Sequence, residues 1–224
     1  MKFKGRFLPS LLAAGCLAGA GAAQAGMITY DTWLPDDGAV GNYIFTVEHD
    51  EVGGRFNYNL TVDPWNADPL GLFIDLGDNT VGDVDLIQDS GGVELYATNT
   101  SDDSCDTGCN LNGGPGGSLI VPDEPNGLWE LVFRLGETGG ADLQQTFSWS
   151  TADFELGLSD FGLVAIRSQV LCTGDDLLPG DADDCEGSDK SYSGTTTVSV
   201  PEPGTLGLLG LGLLALAIRR VKAS

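Results

Sequence analysis

Basic side chains are scarce in this chain: ten Lys and Arg stand against 33 Asp and Glu, a formal charge of −23. That shortage excludes nucleic acid and anionic lipid headgroups as partners of the bulk of the chain, because phosphate binding is built on Lys and Arg. Histidine is scarcer still. The single imidazole, His49, lies in Glu48-His49-Asp50-Glu51, where neighbouring acids favour the protonated ring, the wrong form for a general base. No G-x-S-x-G elbow accompanies it, so nucleophilic catalysis has no visible apparatus and His49 is expected in a surface turn. With one His and no C-x-x-C pair, a zinc site is not expected either. Amphipathic helices are also missing, since no window between the two ends sustains an i, i+3, i+4 apolar stripe.

Long hydrophobic runs occur only at the two ends. Lys2, Lys4 and Arg6 precede an apolar run over 8–23 that closes at Ala23-Gln24-Ala25. A basic start, an apolar middle and a small-x-small close predict a secretory signal peptide over 1–25, with Gly26 as the mature start. The run is shorter than the ~20 residues a spanning helix needs. Ala13-Ala14-Gly15-Cys16 departs from a lipoprotein box at Ala13, so Cys16 reads as part of the apolar run. At the other end, Val200-Pro201-Glu202-Pro203-Gly204 leads into an uncharged apolar run over 206–218 and then Arg219, Arg220 and Lys222. The prolines separate body from tail, because they can join neither a ladder nor a helix interior. As a helix the run would rise about 20 Å, a short transmembrane segment needing thinned bilayer or snorkelling cations. Basic residues stay cytoplasmic, which places the body outside.

Pro-Glu-Pro, a short apolar helix and terminal arginines, in that order, resemble the PEP-CTERM sorting signal. The resemblance covers residues 200–224, with Pro201, Glu202, Pro203, Arg219 and Arg220 as its marks. It implies recognition by exosortase, an inner-membrane transpeptidase-like enzyme that cuts near the motif. It also implies export by a Gram-negative bacterium that makes exopolysaccharide, with the chain passing from an inner-membrane intermediate to the cell surface or medium. Signal peptidase and exosortase would be its processing partners. The resemblance addresses destination and leaves the body's role open.

The body, 26–199, keeps Arg55, Arg134, Arg167 and Lys190 and all but one of the acids. Such acidity keeps a Gly-rich exported domain solvated and suits surroundings of cations or neutral glycans. Cys105, Cys109, Cys172 and Cys185 are an even set in an oxidising compartment. Three pairings are open, and Cys105–Cys109 with Cys172–Cys185 is preferred because each closes a local Gly- and Asp-rich loop.

Period-two alternation predicts a hairpin from 43–48 and 55–62 about a Gly-Gly turn, and a strand over 129–135 with Glu130 on its wet face. Further strands are expected at 70–76, 93–98, 144–150, 162–170 and 192–200. Eight to ten short strands between Gly, Asp, Asn and Pro turns predict a mainly β antiparallel sandwich, of which a jelly roll is one form.

Three chemistries remain to be weighed in the body. Asp175, Asp176, Asp181, Asp183, Asp184 and Glu186, with Asp189 beside them, crowd one loop as candidate ligands for a structural Ca²⁺, although the EF-hand spacing is broken at Cys185. Asp75, Asp78, Asp83 and Asp85 form a second acidic cluster. Trp33 and Trp65, in Pro- and Asp-rich segments, are candidate stacking platforms for a glycan. Glu94, Glu130 and Glu155 are the carboxylates from which a glycan-active hydrolase would be built. In so acidic a chain, chance pairs of carboxylates are expected everywhere, so the reading is a non-enzymatic surface or matrix protein.

Overall fold

Alternation in short runs dictates sheets, since period two turns one face of each strand inward. The computed structural model describes residues 26–35, 40–77, 79–100, 129–137, 143–172, 185, 187–194 and, for the backbone alone, 197–199. These form two six-stranded antiparallel sheets and one 3-10 turn, Leu158–Asp160. The first sheet runs β12 (Thr197–Ser199), β1 (Gly26–Tyr30), β3 (Tyr43–Asp50), β4 (Arg55–Val62), β9 (Thr146–Ala152), β6 (Ile87–Ser90). The second runs β2 (Leu34–Pro35), β11 (Ser188–Ser193), β10 (Val164–Gln169), β5 (Asp68–Ile74), β8 (Leu131–Leu135), β7 (Val93–Thr98).

The expected hairpin is present as β3 and β4, paired from Tyr43↔Val62 to Asp50↔Arg55. Its turn is held by the Asp50 carboxylate, which accepts the N–H groups of Val52 and Gly53 at 3.1 and 2.9 Å. Gly54 closes it at φ +63°, a conformation glycine adopts without penalty. Phe45, Val47, Phe56, Tyr58 and Leu60 face inward and are fully or almost fully buried.

One core joins the two sheets. Phe45, Tyr58 and Trp149 of the first share it with Leu72, Leu131, Phe133 and Ile166 of the second. Tyr58 stacks on Trp149 with centroids 5.2 Å apart, and Phe133 approaches both rings at 5.9 and 5.2 Å. Such pairs add specific geometry to the burial of large apolar areas.

The second sheet differs from expectation. Glu130, assigned above to a wet face, is fully buried, as are Trp129 and Val132. Phe73, Ala97, Trp129, Val132 and Ala165 form a separate apolar cluster, so β5, β8 and β10 bury both faces. A strand covered on both sides loses its polar alternation, and β5 accordingly reads DPLGLFI with every residue buried. The strand expected over 192–200 is two strands, β11 and β12, which belong to different sheets. Short or irregular β1, β2 and β6 carried too little period to be read from sequence.

Cys172 and Cys185 form a disulfide across 13 positions, as preferred above, packed with Trp65. Cys105 and Cys109 lie outside the described residues, as do the signal segment 1–25 and the tail 200–224.

Two stability outcomes follow. Phe133→Ala removes the ring that bridges the sheets and should cost about 3–5 kcal/mol in denaturant unfolding. Replacing both Cys172 and Cys185 by Ser frees a short loop in the unfolded chain and should cost about 2–4 kcal/mol in the same measurement.

Candidate functional site

The inward turn of Tyr43, Phe45, Phe56, Tyr58, Phe147 and Trp149 forces their polar neighbours onto the opposite face of the first sheet. Register then aligns these neighbours in rows. Thr29 pairs with Thr46, Thr46 with Asn59, Asn59 with Ser148, and Ser148 with Ser90. A second row runs Met27, Glu48, Asn57, Ser150, Ile87, and a third Ile44, Thr61, Thr146. Adjacent strands lie about 4.8 Å apart, so hydroxyls and amides recur at that spacing across the face. Ser90 and Ser148 hydroxyls meet at 3.0 Å. Glu48 is the one charged side chain in the three rows. At the rim, Arg55 donates to the Asp85 carboxylate and carbonyl, each at 2.6 Å, and to the Ser150 hydroxyl at 3.1 Å. The next row pairs Asp50 with Arg55, so the face is sparsely charged rather than free of acids, on a chain of net charge −23.

The proposed tryptophan platforms are corrected by burial. Trp33 is 8% and Trp65 2% exposed. The Trp33 indole donates to the Tyr43 carbonyl at 2.9 Å and packs edge-on to that ring, in the wall of a cleft of about 330 Å³ shared with Asp31, Gly41 and Asn42. Trp65 packs on the Cys172–Cys185 disulfide. Neither ring offers a free face for stacking on a sugar; both fill edges of the core, the usual place for so large an apolar surface.

Of the three candidate carboxylates, Glu130 is committed to structure. Glu130 accepts the Leu76 N–H at 2.8 Å and the Asn99 amide at 3.2 Å, and so ties the 75–100 segment to β8. Glu94 is exposed and pairs in register with Arg134, while Glu155 is exposed in a turn at φ +61°. Asp75, from the second acidic cluster, accepts from Gly77 and Leu163 N–H groups at 2.6 and 3.3 Å. Asp83 accepts the Asp85 N–H, and Asp85 pairs with Arg55. Among the described residues no three His, Cys, Asp or Glu form a group able to hold a metal. Asp175, Asp176, Asp181, Asp183, Asp184 and Glu186 lie outside the described residues.

Asp189, also part of the acidic loop, is fully buried on β11. Its carboxylate accepts the Tyr43 hydroxyl at 2.8 Å, the Gly41 N–H at 3.0 Å and the Ser191 hydroxyl at 2.6 Å, and the Ser168 hydroxyl donates in turn to the Tyr43 oxygen at 2.7 Å. Burial, and then the Asp189 charge, push the Tyr43 phenol well above its ordinary range, so it stays a donor. The network is a strut between the sheets.

His49 is placed by β3 against Phe56, rings 4.7 Å apart, with Nε2 3.2 Å from the Asp153 carboxylate. It is half-buried, a departure from the exposed turn position expected of it. Burial pushes the Asp153 carboxyl up, but the Glu155 N–H and then His49 outweigh it and hold that group below its ordinary value.

Beyond the last paired residues the chain enters its tail. The family model described as the PEP-CTERM protein-sorting motif matches residues 199–221. The chain carries a PEP-CTERM sorting tail. The match spans Pro201, Glu202, Pro203, Arg219 and Arg220, and it opens on Ser199, the last residue of β12. The PEP-CTERM tail marks an exported protein processed by exosortase. No curated protein and no solved structure matches the chain. Among the described residues no helix is long and apolar enough to cross a membrane, which says nothing of strands; the expected helix over 206–218 lies outside them.

The Asp153 contact predicts a pH dependence. A carboxyl whose folded pKa is depressed contributes stability above its unfolded value of about 3.9 and loses it as pH falls through the folded value. Asp153→Asn should therefore unfold at lower denaturant than the parent at pH 7, with the difference shrinking below about pH 4.

Proposed function

We propose that the body is a β-sandwich that serves as a non-catalytic, structural or adhesive component of the cell surface or extracellular matrix, bound to exopolysaccharide. Signal peptidase releases its N-terminus, a short C-terminal helix holds it in the inner membrane, and exosortase then processes it in a Gram-negative host. The PEP-CTERM tail supports the route. The observation that carries the role is the sparsely charged hydroxyl and amide face of the first sheet on an otherwise strongly acidic chain.

A neutral polysaccharide repeats hydroxyl donors and acceptors along its length, and Ser, Thr and Asn supply both in return. Anionic polymers are disfavoured by the acids that surround the face, and a neutral one meets no such repulsion. Binding through many weak contacts needs neither turnover nor a cofactor, and its strength comes from multivalency along the polymer.

The test uses the mature protein recovered from its host. Co-sedimentation with the host's neutral exopolysaccharide should fall about tenfold, equivalent to roughly 1.4 kcal/mol, when Thr46→Glu and Asn59→Glu are combined; because the two are directly opposed the unfolding midpoint drops somewhat, and a far-ultraviolet circular dichroism spectrum matching the parent's establishes that the variant is folded. Undiminished binding by that variant would move the contact away from this face. Deleting exosortase from the host should leave residues 206–224 attached in the intact mass.

A further inference from the structure

The two ends of the body meet in one ladder. β1 starts at Gly26, the predicted mature start, and β12 ends at Ser199, two residues before Pro201. They pair antiparallel as Met27↔Ser199, Ile28↔Val198 and Thr29↔Thr197. Neighbouring strands lie about 4.8 Å apart, so the segment that follows signal cleavage and the segment that precedes the sorting motif sit side by side at the same rim. β1 is interior, held on its other side by β3 through five residue pairs from Gly26↔His49 to Tyr30↔Phe45. Among the described residues β12 is a three-residue edge strand with β1 as its single neighbour.

Gly26 is also packed closely in the folded body: a Cβ there would lie 2.8 Å from Leu158 Cδ1. A chain in that position cannot at the same time lie extended in a protease cleft. Removal of the leader therefore has to come before β1 docks, and β12 has no ladder to join until β1 has docked. The mature N-terminus thus creates the site that captures the strand leading into the sorting motif.

We infer that β12 is a releasable latch: pairing with β1 withholds the chain ahead of Pro201, and exosortase receives the tail when β12 unpairs. The inference rests on exosortase processing of the tail and adds to it the element that competes with the enzyme. One residue, Val200, separates the ladder from Pro201, whereas an enzyme that grips a backbone needs several extended residues free of other pairing. Edge and terminal strands open locally at far less cost than whole-domain unfolding, so the latch can yield while the body stays folded.

The experiment expresses the full chain in an exosortase-bearing host with Thr29→Cys and Thr197→Cys, which are paired in register in the ladder. The doubly Ser-substituted chain is the control, and loss of 206–224 is read by intact mass. Expected are a processed control, a cross-linked chain that keeps its tail, and recovery of processing on addition of dithiothreitol. A cross-linked chain with a six-residue Gly/Ser insert after Ser199 should be processed, because the motif is then free of the ladder. If the control itself keeps its tail in this host, the exosortase reading fails. If the control is processed and the cross-linked chain is processed at the same rate, the latch alone is overturned. The latch is equally overturned if the insert does not restore processing, since the block would then come from export or folding.

Discussion

Everything else in this molecule depends on the aromatic contact between its sheets. Tyr58 lies stacked on Phe45 and Trp149 of its own sheet, and Phe133 reaches across from the other to meet Tyr58 and Trp149. A chain with ten basic residues cannot offset 33 acids by ion pairing. Two ion pairs are formed among the described residues, His49–Asp153 and Arg55–Asp85, and exposed pairs contribute little. Burial of large apolar side chains is the term that can outweigh the repulsion, and the inter-sheet core supplies it.

The buried acids follow from the same constraint. A carboxylate inside a core is tolerated only when its oxygens find donors, and Asp189 and Glu130 both do. Asp189 gathers Tyr43, Gly41 and Ser191, while Glu130 takes Leu76 and Asn99. These arrangements join the sheets and fix long connections, and they leave the oxygens engaged rather than open to a substrate. The outward face of the first sheet carries rows of Thr, Ser and Asn, which align because the aromatic side holds the strands in register.

Much of this was legible beforehand, and the exceptions have physical causes. The β3–β4 hairpin showed itself because one face is wet and the other dry, which writes the alternation into the sequence. β8 misled because it is covered on both sides: Leu131 and Phe133 belong to the inter-sheet core, Val132 to the second cluster, and Glu130, just before the strand, is itself buried. Trp33 and Trp65 looked like stacking platforms because polar residues flank them in sequence, yet tertiary packing brings Tyr43 to one and a disulfide to the other. The hydroxyl face was present in the alternating positions of β3, β4 and β9 all along. Read strand by strand, it was only the wet side; register across five strands makes it a surface.

The sequence by itself carried the sorting tail, because such a motif is a linear string of proline, apolar length and charge. It also determined the β character, since period two is a property of neighbours along the chain. Tertiary structure alone decided which acids are buried, which polar rows align, and that Gly26 and Ser199 finish in adjacent strands. Those outcomes depend on pairing between residues far apart in sequence, whose partners no local pattern names.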